Sequence, residues 1–168
     1  MQAGTILIVD DNKSVLTSLE LLLEDEFEKV ETASNPNSIL SVLDSRAVDL
    51  VLLDIKTIDA GLHPRLTAVK LDNTLRFLDE LEKRGIPVWI RHVIVPGLTD
   101  DDEALSKLAE YISSYKVVQK AELLPYHTMG AYKYEAQGLD YKLKGVEPLS
   151  AERLANAKAI FRKHGITV

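Results

Sequence analysis

Strand-like and helix-like segments alternate along the whole chain, and this alternation limits the possible folds more than any other feature. Continuous apolar runs that end at acidic residues, "TILIVD" and "DLVLLDI", are typical of strands buried on both faces. Further strands are expected in "KVETAS", "PVWIRHVIV" and "VVQKAELLPYH", with amphipathic helices between them. Such alternation predicts a parallel sheet covered by helices.

The length of the chain separates the two common forms of this architecture. A closed barrel needs eight strand–helix units and about 250 residues, whereas this chain has 168 residues. Five units suit an open, doubly wound sheet with helices on both faces. We therefore expect an α/β fold with three layers in a single domain.

The composition narrows the functional classes. The formal net charge is −6, so we expect no nucleic-acid or anionic-membrane partner, since both select clustered positive charge. No apolar run approaches the length of a membrane span and there is no signal-peptide pattern, so a cytoplasmic location is expected. There is no cysteine, which excludes disulfides, thiol nucleophiles and cysteine-ligated iron–sulfur clusters.

Functional residues of parallel α/β sheets gather at the carboxyl ends of the strands. In this chain those ends carry Asp10, Asp11, Asp54, Lys56, Arg91, His92 and His127. Two helix starts are also predicted, since Thr99 with Asp102 fits a capping box and Ser150 is a typical N-cap. Trp89, inside the fourth strand, is expected in the core.

The first third of the chain resembles the receiver domain of bacterial response regulators. The resemblance covers residues 1–54 and rests on "ILIVDDNKSVLTSLELLL", with an acidic pair after strand one, and on "DLVLLD", with an acid after strand three. It implies a phospho-acceptor at Asp54 and a Mg²⁺ ion held by Asp10, Asp11 and Asp54. The family's Thr or Ser after strand four and Lys after strand five are missing from this sequence.

Residues 49–168 resemble the C-terminal half of pyruvate formate-lyase activating enzyme, a radical S-adenosylmethionine protein with a partial barrel. The matching stretches are "DLVLLDIK", "VWIRHVIVPGLTDDDEAL", "AELLPYHTMG" and "YKLKGVEPLSAERL". The resemblance implies that Asp54 matches a monovalent-cation ligand. It also implies that Lys56, Arg91 and His127 lie near S-adenosylmethionine. The family's chemistry needs a [4Fe–4S] cluster held by three cysteines, which this chain lacks.

The seam between the two resemblances falls in mid-domain, at a strand that both families share, whereas natural boundaries fall in exposed linkers. We therefore expect one chimeric domain over residues 1–168, with a receiver-like half at 1–54 and a barrel-like half at 55–168. The receiver-like start favours a flavodoxin-like sheet of five strands in the order 2-1-3-4-5 over the barrel order 1-2-3-4-5. Residues 166–168 follow a helix-end glycine, which makes a short sixth strand an option.

These observations predict an engineered fold chimera, a scaffold without native biological activity and not an enzyme, because radical catalysis needs the missing cysteines. A natural recombinant is the alternative origin. Two alternative functions stay open: a Mg²⁺-dependent phospho-acceptor site at Asp54, and weak binding of S-adenosylmethionine or of an anion through Lys56, Arg91 and His127. No cofactor is expected beyond weakly bound Mg²⁺, and no iron–sulfur cluster. No partner is required; a monomer is favoured, with a dimer through an exposed sheet edge as the alternative.

Overall fold

A computed structural model of the chain describes residues 3–9, 13–33, 39, 43–44, 48–68, 70–130, 138 and 140–168. Asp10 and Asp11, two of the three predicted magnesium ligands, lie outside the described residues. Of that predicted site, Asp54 alone can be placed in the fold.

Five parallel strands form one sheet in the order β2-β1-β3-β4-β5. They are β1 Ala3–Val9, β2 Phe27–Ala33, β3 Leu50–Asp54, β4 Val88–Ile94 and β5 Val118–Pro125. The predicted doubly wound, flavodoxin-like fold and its strand order are confirmed. Because β1 lies between β2 and β3, the receiver-like and barrel-like parts share one continuous sheet.

The described helices are α1 Lys13–Leu23, α2 His63–Thr67, α3 Leu71–Arg84, α4 Asp102–Ser113 and α5 Ala151–Lys163, with a 3₁₀ turn at Thr128–Gly130. α3 ends at Gly85, whose φ of 67° lies in the left-handed region that glycine adopts most readily. Ser150 caps α5 as predicted, since its side chain accepts a hydrogen bond from the N–H of Arg153. None of the helices in the described part of the chain is long and apolar enough to cross a bilayer.

Apolar side chains form a separate core on each face of the sheet. α3, α4 and α5 pack on one face, together with Ile90 of β4. α1 packs on the other face through Leu16. Trp89 was expected in the core but is only half-buried on the α1 face. The alternation of β4 is the reason, because it directs Val88 and Ile90 into the larger core, where both are fully buried.

The loop between β4 and α4 differs from the predicted capping box. Asp101, and not Thr99, caps α4, because its carboxylate accepts a hydrogen bond of 2.9 Å from the N–H of Ala104. Thr99 is buried instead. Its hydroxyl donates to the carbonyl of Val93 and accepts from the N–H of Val95, each over 2.8 Å. Thr99 therefore ties the loop to the end of β4.

The last three residues run beside β5 without forming a strand. The N–H of Ala121 donates to the carbonyl of Thr167 over 2.8 Å. Ile166 is 7% exposed and belongs to the core beneath α3, α4 and α5. The optional sixth strand is thus reduced to one hydrogen bond, which satisfies a donor on the outer edge of β5.

Candidate ligand-binding site

Charged side chains of three neighbouring strands meet at the carboxyl-end edge of the sheet. The register pairs Asp54 of β3 with Arg91 of β4, and Arg91 with Glu122 of β5. Side chains paired across parallel strands point to the same face, which here is the α1 face. Lys56 follows β3, and Lys120 precedes Glu122 by two residues on β5. We call these five residues the charged row.

Ion pairs connect most of the charged row. The Nζ of Lys56 donates to Oδ2 of Asp54 over 2.8 Å. The Nζ of Lys120 donates to Oε1 of Glu122, also over 2.8 Å. The Nε of Arg91 lies 3.8 Å from Oε2 of Glu122, which is too far for a hydrogen bond.

Arg91 differs from the two lysines of the row, because its guanidinium N–H groups donate no hydrogen bond to the described residues. Its side chain is only 18% exposed, yet it makes no hydrogen bond with any residue that the structure describes. The row holds three cations against two carboxylates, a surplus of one positive charge in a chain whose net charge is −6. A guanidinium presents its N–H donors as a planar fork that fits a carboxylate or phosphate.

His92 supports the charged row from the opposite face of the sheet. Its ring is 2% exposed, and Nδ1 lies 2.7 Å from the carbonyl oxygen of Ile55. Nδ1 must therefore carry the proton, because a carbonyl oxygen can only accept. Burial lowers the pKa of His92, while the hydrogen bond to Ile55 opposes this shift. Since Ile55 joins Asp54 to Lys56, His92 fixes the backbone that carries both charged groups.

The third residue predicted near the cofactor, His127, is not connected to the row. It lies two residues beyond the end of β5 and its side chain is exposed. Within the described parts of the chain it makes no hydrogen bond or ion pair with the row. Of the predicted set, Lys56 and Arg91 therefore both lie in the charged row, and His127 lies outside it.

The predicted magnesium site is described only at Asp54, whose Oδ2 already binds the ammonium group of Lys56. A divalent cation there would have to displace this ammonium group. No group of three or more Asp, Glu and His side chains within the described segments is arranged to hold a metal ion. Magnesium binding stays a prediction.

Sequence reasoning missed two members of the row, Lys120 and Glu122. Their signal was the alternation in "VQKAELLP", where Ala121 and Leu123 are buried and the charged residues between them face the other side. Placing them beside Arg91 also requires the register between β4 and β5, which the sequence does not give.

Two separate similarities cover the chain. Residues 6–59 match the response regulator receiver domain family. A receiver domain of a two-component response regulator from Bacteroides fragilis is 28% identical, with a TM-score of 0.50 over 93% of this chain and 97% of that one.

The second similarity is to activating enzymes. The pyruvate formate-lyase-activating enzyme of Streptococcus mutans is 50% identical over 112 residues, which are 67% of this chain and 43% of that protein. The pyruvate formate-lyase 1-activating enzyme of Escherichia coli K12 is 41% identical over 117 residues, which are 70% of this chain and 48% of that protein. The chain is a fusion of these two kinds of segment.

A solved domain of a pyruvate formate-lyase-activating enzyme from Bacteroides vulgatus has a TM-score of 0.64 to the fusion. It is 18% identical and the match covers 92% of the fusion and 88% of that chain, so this likeness concerns the fold alone. The fusion spans less than half the length of the two curated activating enzymes.

The prediction that the chain is not an enzyme is wrong. Relatives that are 41–50% identical to it are named as activating enzymes, which indicates an enzyme. The absence of cysteine from these 168 residues does not exclude one. The match covers less than half of each relative. The cysteine ligands of an iron–sulfur cluster, which the fusion lacks, can lie in the unmatched part of those relatives.

Proposed function

We propose that the fusion binds a small carboxylate-bearing molecule of the S-adenosylmethionine type at the charged row, as the ligand-binding part of an enzyme similar to the pyruvate formate-lyase-activating enzymes. One observation carries this proposal. The guanidinium of Arg91 is only 18% exposed, and its nearest carboxylate oxygen in the row is 3.8 Å from Nε. A cation that has lost most of its water and has no hydrogen-bond partner among the described residues is a ready anion site.

The chemistry of the ligand follows from that of the site. A guanidinium binds a carboxylate through two parallel hydrogen bonds, and such bonds strengthen where water is partly excluded. The carboxylate of the amino-acid portion of S-adenosylmethionine is the group assigned to Arg91. Lys56, a second cation of the row, offsets the charge of Asp54, which it holds at 2.8 Å, so that the row keeps its surplus positive charge.

The receiver similarity supports a second candidate function, phosphoryl transfer to Asp54, because the matched residues include this acid. The ion pair between Asp54 and Lys56 favours anion binding over this alternative, since an ammonium group already neutralises the carboxylate that would react. The engineered origin of the fusion is independent of both functions and stays a prediction.

Isothermal titration calorimetry with S-adenosylmethionine tests the proposal. Removal of the charged hydrogen bonds in Arg91→Gln should weaken binding by about 10- to 100-fold. Lys83→Gln is the matched control, because Lys83 is a 73% exposed cation on α3, on the other side of the sheet. Its replacement should leave the affinity unchanged.

Decarboxylated S-adenosylmethionine identifies the group that Arg91 holds. This compound should bind the unchanged chain as weakly as S-adenosylmethionine binds Arg91→Gln, and the substitution should not weaken it further. An Arg91→Gln chain that binds S-adenosylmethionine as tightly as the unchanged chain would contradict the proposal. Saturable amide shifts at Asp54 with Mg²⁺ and beryllofluoride, without any response to S-adenosylmethionine, would favour the phospho-acceptor instead.

A further inference from the structure

The helices are unevenly distributed over the two faces of the sheet. α3, α4 and α5 pack on one face, and α1 is the only described helix that packs on the other. The right-handedness of β–α–β crossovers explains this arrangement. The chain moves toward the β5 edge of the sheet in every step from β3 to β4, to β5 and to the segment beside β5. Each connecting helix therefore lies on the same face. The step from β1 to β2 runs the other way and puts α1 on the opposite face.

As a result, α3, α4 and α5 cover β4 and β5 on one face, and among the described helices only α1 packs on the other. On the helix-covered face, the buried hydrophobic side chains of these strands are 0–5% exposed: Val88, Ile90, Ile94, Ala121 and Leu123. On the opposite face the charged side chains of these strands are 18–33% exposed. We call this surface the open face, and its six half-buried residues are Trp89, Arg91, Val93, Lys120, Glu122 and Leu124. Parallel sheets generally have both faces covered, so the open face is a candidate surface for association.

The pattern of side chains on the open face is complementary to itself. Arg91 on β4 lies beside Glu122 on β5, so a cation and an anion occupy neighbouring columns at one level. Trp89 lies beside Lys120 in the same way, and the Lys120 ammonium sits 3.5 Å from the centre of the indole ring. A surface with this arrangement can meet a rotated copy of itself with opposite groups facing each other.

We propose that a second copy of this chain packs on the open face, about a two-fold axis that runs parallel to the strands between β4 and β5. This axis places β4 of each copy over β5 of the other. Arg91 then faces Glu122 of the partner subunit, and Trp89 faces Lys120 of the partner subunit. Each contact is made twice, as in every isologous interface.

α1 selects this axis over the other two-fold axis in the plane of the interface. A rotation about an axis perpendicular to the strands would put β1 over β1 and α1 over α1, and the two helices would hold the sheets apart. With the parallel axis, the second copy lies beside α1. Packed layers are separated by ~10 Å, so β4 and β5 of the partner lie in the same layer as α1.

The size of the open face limits the affinity. β4 has 7 residues and β5 has 8, so each is roughly 25 Å long, and two strands spaced by about 4.8 Å form a strip on the order of 250 Å². Stable complexes bury about 800 Å² on each partner. We therefore expect a weak, concentration-dependent dimer.

Sedimentation equilibrium of two charge-reversed variants, without ligand, tests this dimer. Arg91→Glu places two acids on the open face, and Glu122→Arg places two arginines there. Each variant alone should associate at least 10-fold more weakly than the unchanged chain, because like charges then face each other. The equimolar mixture should form a heterodimer at least as tight as the original dimer. A pair that acted only within one chain could not produce this recovery.

Lys29→Glu serves as the control. Lys29 pairs with Glu31 on the edge strand β2, so its reversal should not change a face-to-face dimer but would change one formed through this edge. Cross-linking is a second measurement. Because the unchanged chain has no cysteine, a bismaleimide that spans about 10 Å should link the thiol of a Val93→Cys chain to the thiol of a Leu124→Cys chain. Three results would each overturn the proposal: an unchanged chain that is monomeric at millimolar concentration, a charge-reversed mixture that stays monomeric, or cysteine variants that stay unlinked.

Discussion

At the scale of single residues, His92 combines deep burial with a titratable ring, and this couples the stability of the fold to pH. Its folded-state pKa is lowered, chiefly by burial, with Asp54 favouring and Lys56 opposing the charged form. The unfolded state therefore binds the proton more readily. Stability is complete above the unfolded pKa of about 6.5 and decreases as pH falls below it, by up to about 1.4 kcal/mol per pH unit.

The variant His92→Asn distinguishes the effect of protonating His92 from the effect of its hydrogen bond to Ile55. The asparagine amide can donate to the carbonyl of Ile55 much as Nδ1 does, but it does not titrate. Urea unfolding between pH 7.5 and pH 5 should show the free energy of unfolding falling more steeply for the unchanged chain than for His92→Asn. Equal slopes in the two chains would mean that His92 is not the group responsible.

At the scale of elements, the connection from β4 to α4 depends on the buried hydroxyl of Thr99. Thr99→Val keeps the shape of the side chain but leaves the carbonyl of Val93 and the N–H of Val95 without their partner. We expect a loss of about 1–3 kcal/mol in the free energy of unfolding. Thr99→Ser keeps the hydroxyl and should cost clearly less, and thermal or urea unfolding of both variants measures the difference. Equal losses would indicate that packing, and not hydrogen bonding, accounts for the burial of Thr99.

The same connection shows how far the sequence can be read. Local patterns were sufficient for the strands and for the cap at Ser150, because alternation and N-cap chemistry act within a few residues. The predicted capping box of Thr99 with Asp102 was wrong, since the Thr99 hydroxyl binds the carbonyl of Val93, a contact made across the loop. The sequence showed Arg91 at a strand end, but its position beside Glu122 depends on the strand register.

At the scale of the whole molecule, the fusion joins two modes of helix placement in one sheet. The first crossover places α1 on one face, and the later crossovers continue in one direction as in a barrel and place α3, α4 and α5 on the other. The open face and the anion site both result from this combination. Arg91 belongs to both, because it lies in the charged row and at the centre of the proposed interface.

Because Arg91 belongs to both sites, we predict that binding of the ligand and binding of the second copy are mutually exclusive. If S-adenosylmethionine occupies the Arg91 guanidinium, the same group cannot pair with Glu122 of the partner subunit. Linkage then requires the apparent dimer dissociation constant to rise with the square of (1 + [L]/Kd), about 100-fold at a ligand concentration ten times its Kd. Sedimentation equilibrium over a ligand series measures this rise. Decarboxylated S-adenosylmethionine, which lacks the carboxylate, should leave the dimer unchanged at the same concentrations. A dimer that is insensitive to saturating S-adenosylmethionine would place ligand and partner on different surfaces.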